Sequence, residues 1–294
     1  MIEQLRADYP APALCRQFRV SLSGYSRWRS APPSPRQNEE TRLEVEISAA
    51  HKRTRETYGA ERLKKDLASH GVEVGIHRIK RIRRKLGLRC KQKKKFKATT
   101  NSKHNLPVAN NLVDQIFQAS RPCQIWLGDI TYIATDEGWL YLAGYKDIFT
   151  GEIVGYAMNK RMTKGLVVQA LFRATSAKRP EKGLILHSDR GSQYCSRALA
   201  RVLKQFGMKA SMSRKGNCYD NAPMESFWGT LKTEMIHHKK YATRREAEAE
   251  IIEYIELFYN RQRIQKKLGY CSPAVFERKY FTEKKLEKRF GFHY

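Results

Sequence analysis

The sequence predicts an α/β protein in which a mixed sheet with flanking helices follows small all-α helix-turn-helix modules. Up to about residue 88, apolar residues recur at spacings of three and four, which is typical of short helices. From residue 125 onward, three strand-like segments separated by turns precede alternating helices and short apolar strands. That order suits one mixed sheet with helices packed on its faces.

The first thirty residues predict a small helix-turn-helix. Leu14 and Phe18 are spaced for one helix, and Ser21 is placed to cap a second. The segment 31–38 contains three prolines, which remove hydrogen-bond donors and fix the backbone, so we expect a linker there. The predicted first unit is residues 1–37, a short helix-turn-helix arm with a proline-rich linker.

A second helix-turn-helix is predicted at residues 38–105, and its third helix is strongly basic. Residues 76–97 contain twelve Lys or Arg and no acid, a composition that favours binding to phosphates. The alternative is a solvated basic face with no specific role. The residues predicted to contact DNA from this module are Arg78, Lys80, Arg81, Arg83, Arg84, Lys85, Lys93, Lys94 and Lys95.

The remaining chain predicts a core domain at 106–282 and a basic tail at 283–294. Its first three strands, separated by turns, form an antiparallel meander. Helices and two short buried strands follow, and two later helices begin at a capping Asn221 and at a Thr243–Glu246 capping box. The predicted strands are 125–133, 139–145, 153–158, 184–186 and 208–212.

Three acids are the best indication of chemistry. Asp129 and Asp189 each accompany an apolar strand-like segment, where a charge is costly unless something compensates it, and Glu225 lies beyond the last strand. Two divalent ions about 3.5–4 Å apart activate the attacking oxygen and stabilise the leaving oxygen of a displacement at phosphorus. Carboxylates suit such hard cations. We therefore predict that these acids are catalytic and bind two Mg²⁺ ions, for which Mn²⁺ substitutes; Asp147 and Asp220 are the alternative ligands.

Three other side chains near these acids have competing interpretations. Lys232 lies two helical turns after Glu225 and is expected to reach DNA held at the metals, or else to be an ordinary surface lysine. His187 is expected to be a hydrogen-bonded structural residue rather than a general base. Trp228 is expected in the core, with stacking on DNA as the alternative.

Composition identifies the class of partner. Lys and Arg number 57 against 29 Asp and Glu, and the net charge of +28 favours nucleic acid. No long apolar segment, signal peptide or lipidation motif is present, so we expect a soluble, cytoplasmic protein without membrane contact. The six cysteines are far apart, which predicts neither disulfides nor a structural zinc site.

Several motifs resemble one family of bacterial insertion-sequence transposases, the second-frame (OrfB) products of the "IS three" family. They are HSDRGSQY at 187–194, SMSRKGNCYDNA at 211–222, ESFWGTLK at 225–232 and YNRQR at 259–263. WLGDITY at 126–132, LGYCSP at 268–273 and YGAER at 58–62 fit the same family. The resemblance extends over nearly the whole chain.

The resemblance implies a ribonuclease-H-like core, similar to that of retroviral integrases, with a DDE triad at Asp129, Asp189 and Glu225 and a basic residue at Lys232. It implies cleavage at the terminal inverted repeats of an insertion sequence, followed by attack of the freed 3′-hydroxyl on another phosphodiester. The implied partners are double-stranded repeat and target DNA and further copies of the chain in a synaptic complex. The implied location is the bacterial nucleoid.

Two features depart from the family pattern. Many relatives have His where Gln265 stands here. Related proteins are often made by frameshift fusion to an upstream (OrfA) protein with a leucine zipper, and no such heptad run is found here, so an OrfA-type partner or fusion is expected. The alternatives are a related nuclease or integrase, and a DNA-binding regulator with inert acids. Loss of cleavage in EDTA separates the enzymes from the regulator.

Overall fold

A computed structural model describes residues 1–91, 107–214 and 218–290, with only the backbone described at 218, 219 and 288–290. The first unit contains helices α1 (Ile2–Leu5), α2 (Ala11–Gln17) and α3 (Leu22–Ser30). The Ser21 side chain accepts a hydrogen bond from the Gly24 amide and caps α3, as predicted. The predicted pair of helices is therefore confirmed.

The predicted linker at 31–38 is wrong in its second half, because helix α4 spans Pro35–Arg53. Ser34 and Gln37 form a capping box, and Pro35 occupies the first helical turn, where its missing amide hydrogen costs nothing. The predicted boundary between residues 37 and 38 thus falls inside α4. Proline was interpreted as a helix breaker where it is a helix starter.

Helices α4, α5 (Ala60–Ser69) and α6 (Ile76–Lys85) form a compact helical module. Its core combines buried apolar residues of all three helices. Val45 of α4 lies outside this core and is 65% exposed. The buried residues are Leu43, Ile47, Leu63, Leu67, Ile79 and Ile82.

The core domain contains a five-stranded mixed sheet in the order β3-β2-β1-β4-β5. β1, β2 and β3 are an antiparallel meander, and β4 and β5 add to β1 in parallel. This arrangement confirms the predicted mixed sheet. The strands are β1 (Ile125–Thr135), β2 (Gly138–Asp147), β3 (Ile153–Asn159), β4 (Ile185–Ser188) and β5 (Lys209–Met212).

Helices cover both faces of the sheet. On one face, α7 (Lys164–Lys178) and α8 (Arg197–Gln205) enclose one apolar cluster. On the other, α9 (Ala222–Glu234), α10 (Arg244–Glu253) and a π-helical segment (Tyr254–Tyr259) share a continuous apolar cluster with the helical module. The helical module and the sheet therefore pack around a common core.

The last helix, α11 (Pro273–Phe290), crosses the predicted boundary between residues 282 and 283. Within the described residues, every helix is too short or too polar to span a membrane. The described cysteines Cys15, Cys90, Cys123, Cys195 and Cys271 are free thiols.

Candidate active site

Two adjacent parallel strands bring Asp129 and Asp189 together. β1 and β4 are in register with Gly128 opposite Ser188, so the next residue of each chain segment is one of the two acids. On the other side of β1, Asp129 pairs with Gly144 of β2. A Cβ at Gly144 would lie 3.1 Å from the Trp228 indole, so the glycine gives that ring room beside Asp129.

Tyrosines pack beneath the acids. A Cβ at Gly128 would lie 2.6 Å from the Tyr145 ring and 3.2 Å from the Tyr194 ring, so only glycine fits there. The buried Tyr194 hydroxyl has no hydrogen-bond partner in the described part of the chain. Burial, Tyr145, Asp129 and Asp189 in that order raise its pKa well above the ordinary value. Tyr194 therefore remains a neutral donor beneath the acids.

The Asp129 carboxylate has a protein donor at each oxygen. The Ile130 amide donates to Oδ1 at 2.8 Å, and the Trp228 indole Nε1 donates to Oδ2 at 3.0 Å. Although the side chain keeps some solvent access, burial and then repulsion from Asp189 raise its pKa to about 8, with a smaller contribution from Glu225. A bound cation would favour the ionised form of such a carboxylate.

Asp189 begins a turn that fixes its side chain. The Gly191 amide donates to Asp189 Oδ1 at 2.9 Å, and a Cβ at Gly191 would lie 3.0 Å from the same oxygen. The Arg190 Nε donates to the Ser213 carbonyl at 2.6 Å, which ties this turn to the segment after β5. The carboxylate is therefore positioned by its own backbone.

Glu225 lies in the first turn of α9, and Trp228 lies one turn further along the same helix. The Glu225 side chain is exposed overall, but the part of it that is buried raises the pKa of its carboxyl group. Among the described residues, no three His, Cys, Asp or Glu side chains converge into a complete metal cluster. Asp129 and Asp189 are thus brought together, while Glu225 approaches them from α9 without closing the group.

Lys232 extends this face of α9, as expected from its spacing. Its Nζ lies 5.0 Å from the centre of the Tyr132 ring on β1. Burial lowers the pKa of Lys232, and Asp129 acts in the opposite direction. Its charge is therefore held at the edge of the acidic site.

The alternative ligands are structural. Asp147 is 1% exposed and accepts hydrogen bonds from the Cys123 amide, the Trp126 indole and Thr150. Asp220 is fully buried and binds Arg214. Neither side chain joins Asp129 and Asp189.

His187 is structural, as expected. Its Nδ1 lies 2.8 Å from the Ser211 hydroxyl and its Nε2 lies 3.3 Å from the Ser213 hydroxyl, and burial lowers its pKa. The neutral imidazole therefore links β4 to the segment that follows β5.

Two roles at the site were missed from the sequence. Trp228 is buried, as expected, but its indole also holds Asp129. Asn221 was predicted to cap α9 and does not; its amide Nδ2 donates instead to the Gly128 carbonyl at 3.2 Å. The sequence places both residues close to Glu225, which is the one indication it gives of a role at the site. Their hydrogen-bond partners can be identified only from the fold.

The basic face of α6 is partly neutralised by α4. Arg78 and Arg81 both contact Glu40, at 3.3 and 2.7 Å, and Lys85 contacts Glu44. In the described part of the molecule, Lys80 and Arg84 are exposed and have no carboxylate partner.

Arg83 points toward the segment after α6, where its Nη2 lies 3.0 Å from the Cys90 sulfur. The predicted contacts Lys93, Lys94 and Lys95 lie outside the described residues. The face of α6 thus presents fewer unpaired charges than the sequence predicts, because its acidic partners come from a distant helix.

Comparisons with known proteins follow the same organisation. Residues 119–218 and 225–281 match two families that are both described as "Integrase core domain", and residues 37–96 match an "HTH-like domain". The "Insertion element IS600 uncharacterized 31 kDa protein" of Shigella sonnei is 58% identical over 91% of this chain and 98% of its own. "Transposase InsF for insertion sequence IS3A" of Escherichia coli K12 is 40% identical over 95% of this chain and 97% of its own.

Similar solved structures include retroviral integrases. A simian T-cell lymphotropic virus intasome covers 73% of this chain and 70% of its own at 17% identity, with a TM-score of 0.47. The HTLV-2 integrase catalytic core, solved with magnesium, covers 54% of this chain and 99% of its own at 16% identity, with a TM-score of 0.44. The extent and identity of the sequence match with InsF decide the family. The chain belongs to the IS3-family DNA transposases, which carry a helix-turn-helix-like domain and a polynucleotidyl-transferring integrase core.

Proposed function

We propose that Asp129, Asp189 and Glu225 are the DDE triad of this transposase and bind two Mg²⁺ ions. The observation that carries the proposal is the placement of Asp129 and Asp189 at matching positions of two parallel neighbouring strands, with Glu225 on the helix packed against them. The donor set is made only of carboxylate oxygens, which suits Mg²⁺ and Mn²⁺. The raised pKa of Asp129 is further support, because a bound cation favours the ionised carboxylate.

When bound by these carboxylates, Mg²⁺ ions would activate the attacking oxygen and stabilise charge at the leaving oxygen. The protein orients the carboxylates: Trp228 and the Ile130 amide hold Asp129, and the Gly191 amide holds Asp189. Lys232 contacts a DNA phosphate beside the reacting one. Because Glu225 is exposed, we expect it to move toward the two aspartates when DNA and metal bind.

The substrates are the terminal inverted repeats of the element and the target duplex. The helical module, with Lys80 and Arg84 exposed on α6, binds the repeat DNA, while the integrase core cuts and joins. We assign residues 1–34 to an arm and 35–105 to this DNA-binding module, so that the boundary moves from residue 37 to the start of α4. Residues 106–282 are assigned to the core, and 283–294, which include the end of α11, to a basic tail. Joining two ends requires several copies in one synaptic complex, with an OrfA-type protein as partner or fusion.

Nicking and joining of a labelled duplex that carries the flanking repeats tests the triad. Wild type is compared with Asp129→Asn, Asp189→Asn, Glu225→Gln and the control Asp136→Asn, an exposed turn residue. With Mn²⁺ or Mg²⁺, we expect cleavage and joined products from wild type and the control, none from the triad variants, and none in EDTA. Each variant should still bind the duplex in EDTA.

The other outcomes separate the alternatives. Equal cleavage by a triad variant removes that residue from the proposal. Cleavage without joined products in wild type indicates a nuclease. If an added OrfA-type protein is needed for any product, the triad comparison is repeated in its presence and decides in the same way.

A further inference from the structure

A basic cavity lies where the helical module meets the core. It has a volume of about 490 Å³. Arg62 of α5 lines one side. Lys146 at the end of β2 and Lys267, in a short 3-10 helix before α11, line the other. The described lining contains no Asp or Glu. A cavity that is lined by positive charge from two parts of the molecule is a candidate binding site for an anion.

The cavity is separate from the acidic site, although both use α9. Pro223, Ser226 and Thr230 face the cavity, whereas Glu225 and Trp228 belong to the opposite face with the aspartates. Helical spacing explains this division, because residues four apart share a face. One helix therefore separates two sites of opposite charge.

Among the described residues, most cations of the cavity have no carboxylate within salt-bridge distance. Of its cations, Arg263 is paired: its guanidinium binds Glu234 at 2.6 to 3.0 Å. Lys146 is 4% exposed, and its Nζ donates only to the Pro223 carbonyl, at 3.0 Å, among the described atoms. Burial and then Arg263 lower the pKa of Lys146 to about 8. Such a lysine gains its charge fully when an anion arrives.

Two other cations of the cavity, Lys267 and Arg62, also lack a carboxylate partner among the described residues. The Lys267 side chain remains exposed, yet partial burial and Lys146 lower its pKa. Burial and Arg263 lower the pKa of Arg62. In the described part of the chain, neither Arg62 nor Lys267 lies within salt-bridge distance of a carboxylate. The cavity cations thus repel one another.

A buried hydrogen-bond donor also points to an absent acceptor. Gln265 lines the cavity and is 7% exposed, and its Nε2 has no acceptor among the described residues. The amide lies beside the Tyr259 hydroxyl, whose pKa is raised by burial, but the Nε2 group does not form a hydrogen bond to that hydroxyl. An unpaired buried amide is costly, so an oxygen-rich ligand in the cavity would stabilise it.

We propose that this cavity is a phosphate-binding site that takes a backbone phosphate of DNA at the junction of the helical module and the core. Cations, an amide donor and the absence of carboxylates suit a phosphate oxyanion. The volume exceeds that of one phosphate group and admits the adjoining sugar. The source of the phosphate rests on the transposase function proposed above, since a free polyphosphate has the same chemistry.

DNA binding in EDTA tests the site without requiring catalysis. Lys267→Gln and Arg62→Gln are compared with Lys267→Arg and with Lys64→Gln, an exposed lysine of α5 outside the cavity. We expect each Gln variant at the cavity to bind DNA about fivefold more weakly at low salt. The loss of affinity should be the same for repeat-bearing and unrelated duplexes. The combined variant should reduce the slope of log affinity against log salt by about one.

Lys267→Arg and Lys64→Gln should bind as wild type does, and thermal unfolding should show that every variant remains folded. Equal weakening by Lys64→Gln, or unchanged affinity and salt slope in the cavity variants, overturns the DNA assignment. Calorimetric titration with inorganic pyrophosphate distinguishes the source of the phosphate. If the cavity variants no longer bind pyrophosphate but bind DNA as wild type does, the site belongs to a free polyphosphate. If the cavity variants keep wild-type affinity for both pyrophosphate and DNA, the proposed phosphate site is wrong. If the triad proposal is wrong, the triad variants will still cleave DNA, and these binding results will be unchanged.

Discussion

Asp129 is held by a residue that the sequence offers as an ordinary core tryptophan. The Trp228 ring is 5% exposed and packs in the space left by Gly144, while its Nε1 donates to the carboxylate. A donor of this kind fixes the direction of the second carboxylate oxygen. Loss of a group that orients a metal ligand in this way typically costs about 10- to 100-fold in metal affinity or activity.

Replacing Trp228 by Phe removes the donor and keeps the aromatic packing. We expect cleavage to fall about 10- to 100-fold and the Mg²⁺ concentration for half-maximal activity to rise. DNA affinity in EDTA should not change. Trp139→Phe, at a tryptophan that is 50% exposed, is the matched control. Unaltered metal dependence of Trp228→Phe would show that the hydrogen bond has no role in catalysis.

At the scale of elements, Asp220 fastens the segment between β5 and α9. Its carboxylate accepts hydrogen bonds from the Arg214 side chain and amide and from the Asn111 and Gln115 amides. The hydrogen bonds from Arg214 are the main cause that lowers the pKa of Asp220. The carboxylate therefore stabilises the folded state when ionised, and α9 with Glu225 begins directly after it.

This arrangement predicts a specific pH dependence. Because the folded-state pKa lies below the unfolded value of about 3.9, the contribution of Asp220 is present above that pH and is lost as the pH falls through the folded pKa. We expect Asp220→Asn to lower the urea midpoint at pH 7. The difference in urea midpoint between the variant and wild type should become smaller below about pH 4. A difference that stays constant between pH 7 and pH 3 would contradict the assignment.

The contact of β3 with α7 depends on Gly155. A Cβ there would lie 2.5 Å from Ala174 and 2.6 Å from the Ala170 carbonyl, so helix and strand would have to separate. We expect Gly155→Ala to reduce the free energy of unfolding by about 1–3 kcal/mol. Gly165→Ala, in α7 itself, meets nothing closer than 3.6 Å and should have little effect. Denaturant unfolding of both variants measures the difference.

At the scale of the whole molecule, two residues fasten the helical module to the core. Arg55 forms an ion pair with Glu253 and lies over the Phe258 ring, with its guanidinium carbon 5.2 Å from the ring centre. Tyr58 is 1% exposed, and its hydroxyl accepts a hydrogen bond from the Ile264 amide at 2.7 Å. The basic cavity lies beside these contacts, so the orientation of the module also shapes the proposed phosphate site.

Tyr58→Phe tests this connection. The variant leaves the partly buried Ile264 amide without its acceptor, and we expect a loss of about 1 kcal/mol in the free energy of unfolding. Thermal unfolding should become less cooperative, because the module and the core share fewer contacts. Tyr9→Phe, at a tyrosine that is 59% exposed, is the control. A cooperative transition at the wild-type temperature would show that the hydroxyl does not couple the two parts.

The sequence predicted the elements well where local chemistry is decisive. The alternating strands of the meander and the Ser21 cap appear as expected. The predicted Thr243–Glu246 capping box forms only in part: the Thr243 side chain accepts from the Glu246 amide, but the Glu246 carboxylate accepts from the Ala242 amide. The sequence failed at Pro35, where the same residue type either breaks or begins a helix. It failed at Asn221 because a capping residue and a long-range hydrogen-bond donor look identical in sequence.

The sequence by itself determined the mixed α/β fold, the helical modules and the candidate acids, because periodicity, caps and charged residues beside apolar strands are local properties. Only the tertiary structure decided which groups meet. Register places Asp129 beside Asp189, α4 supplies the acids that pair with α6, and the packed module closes a basic cavity with the core. These contacts join residues far apart in the chain, and their geometry depends on how the whole molecule packs.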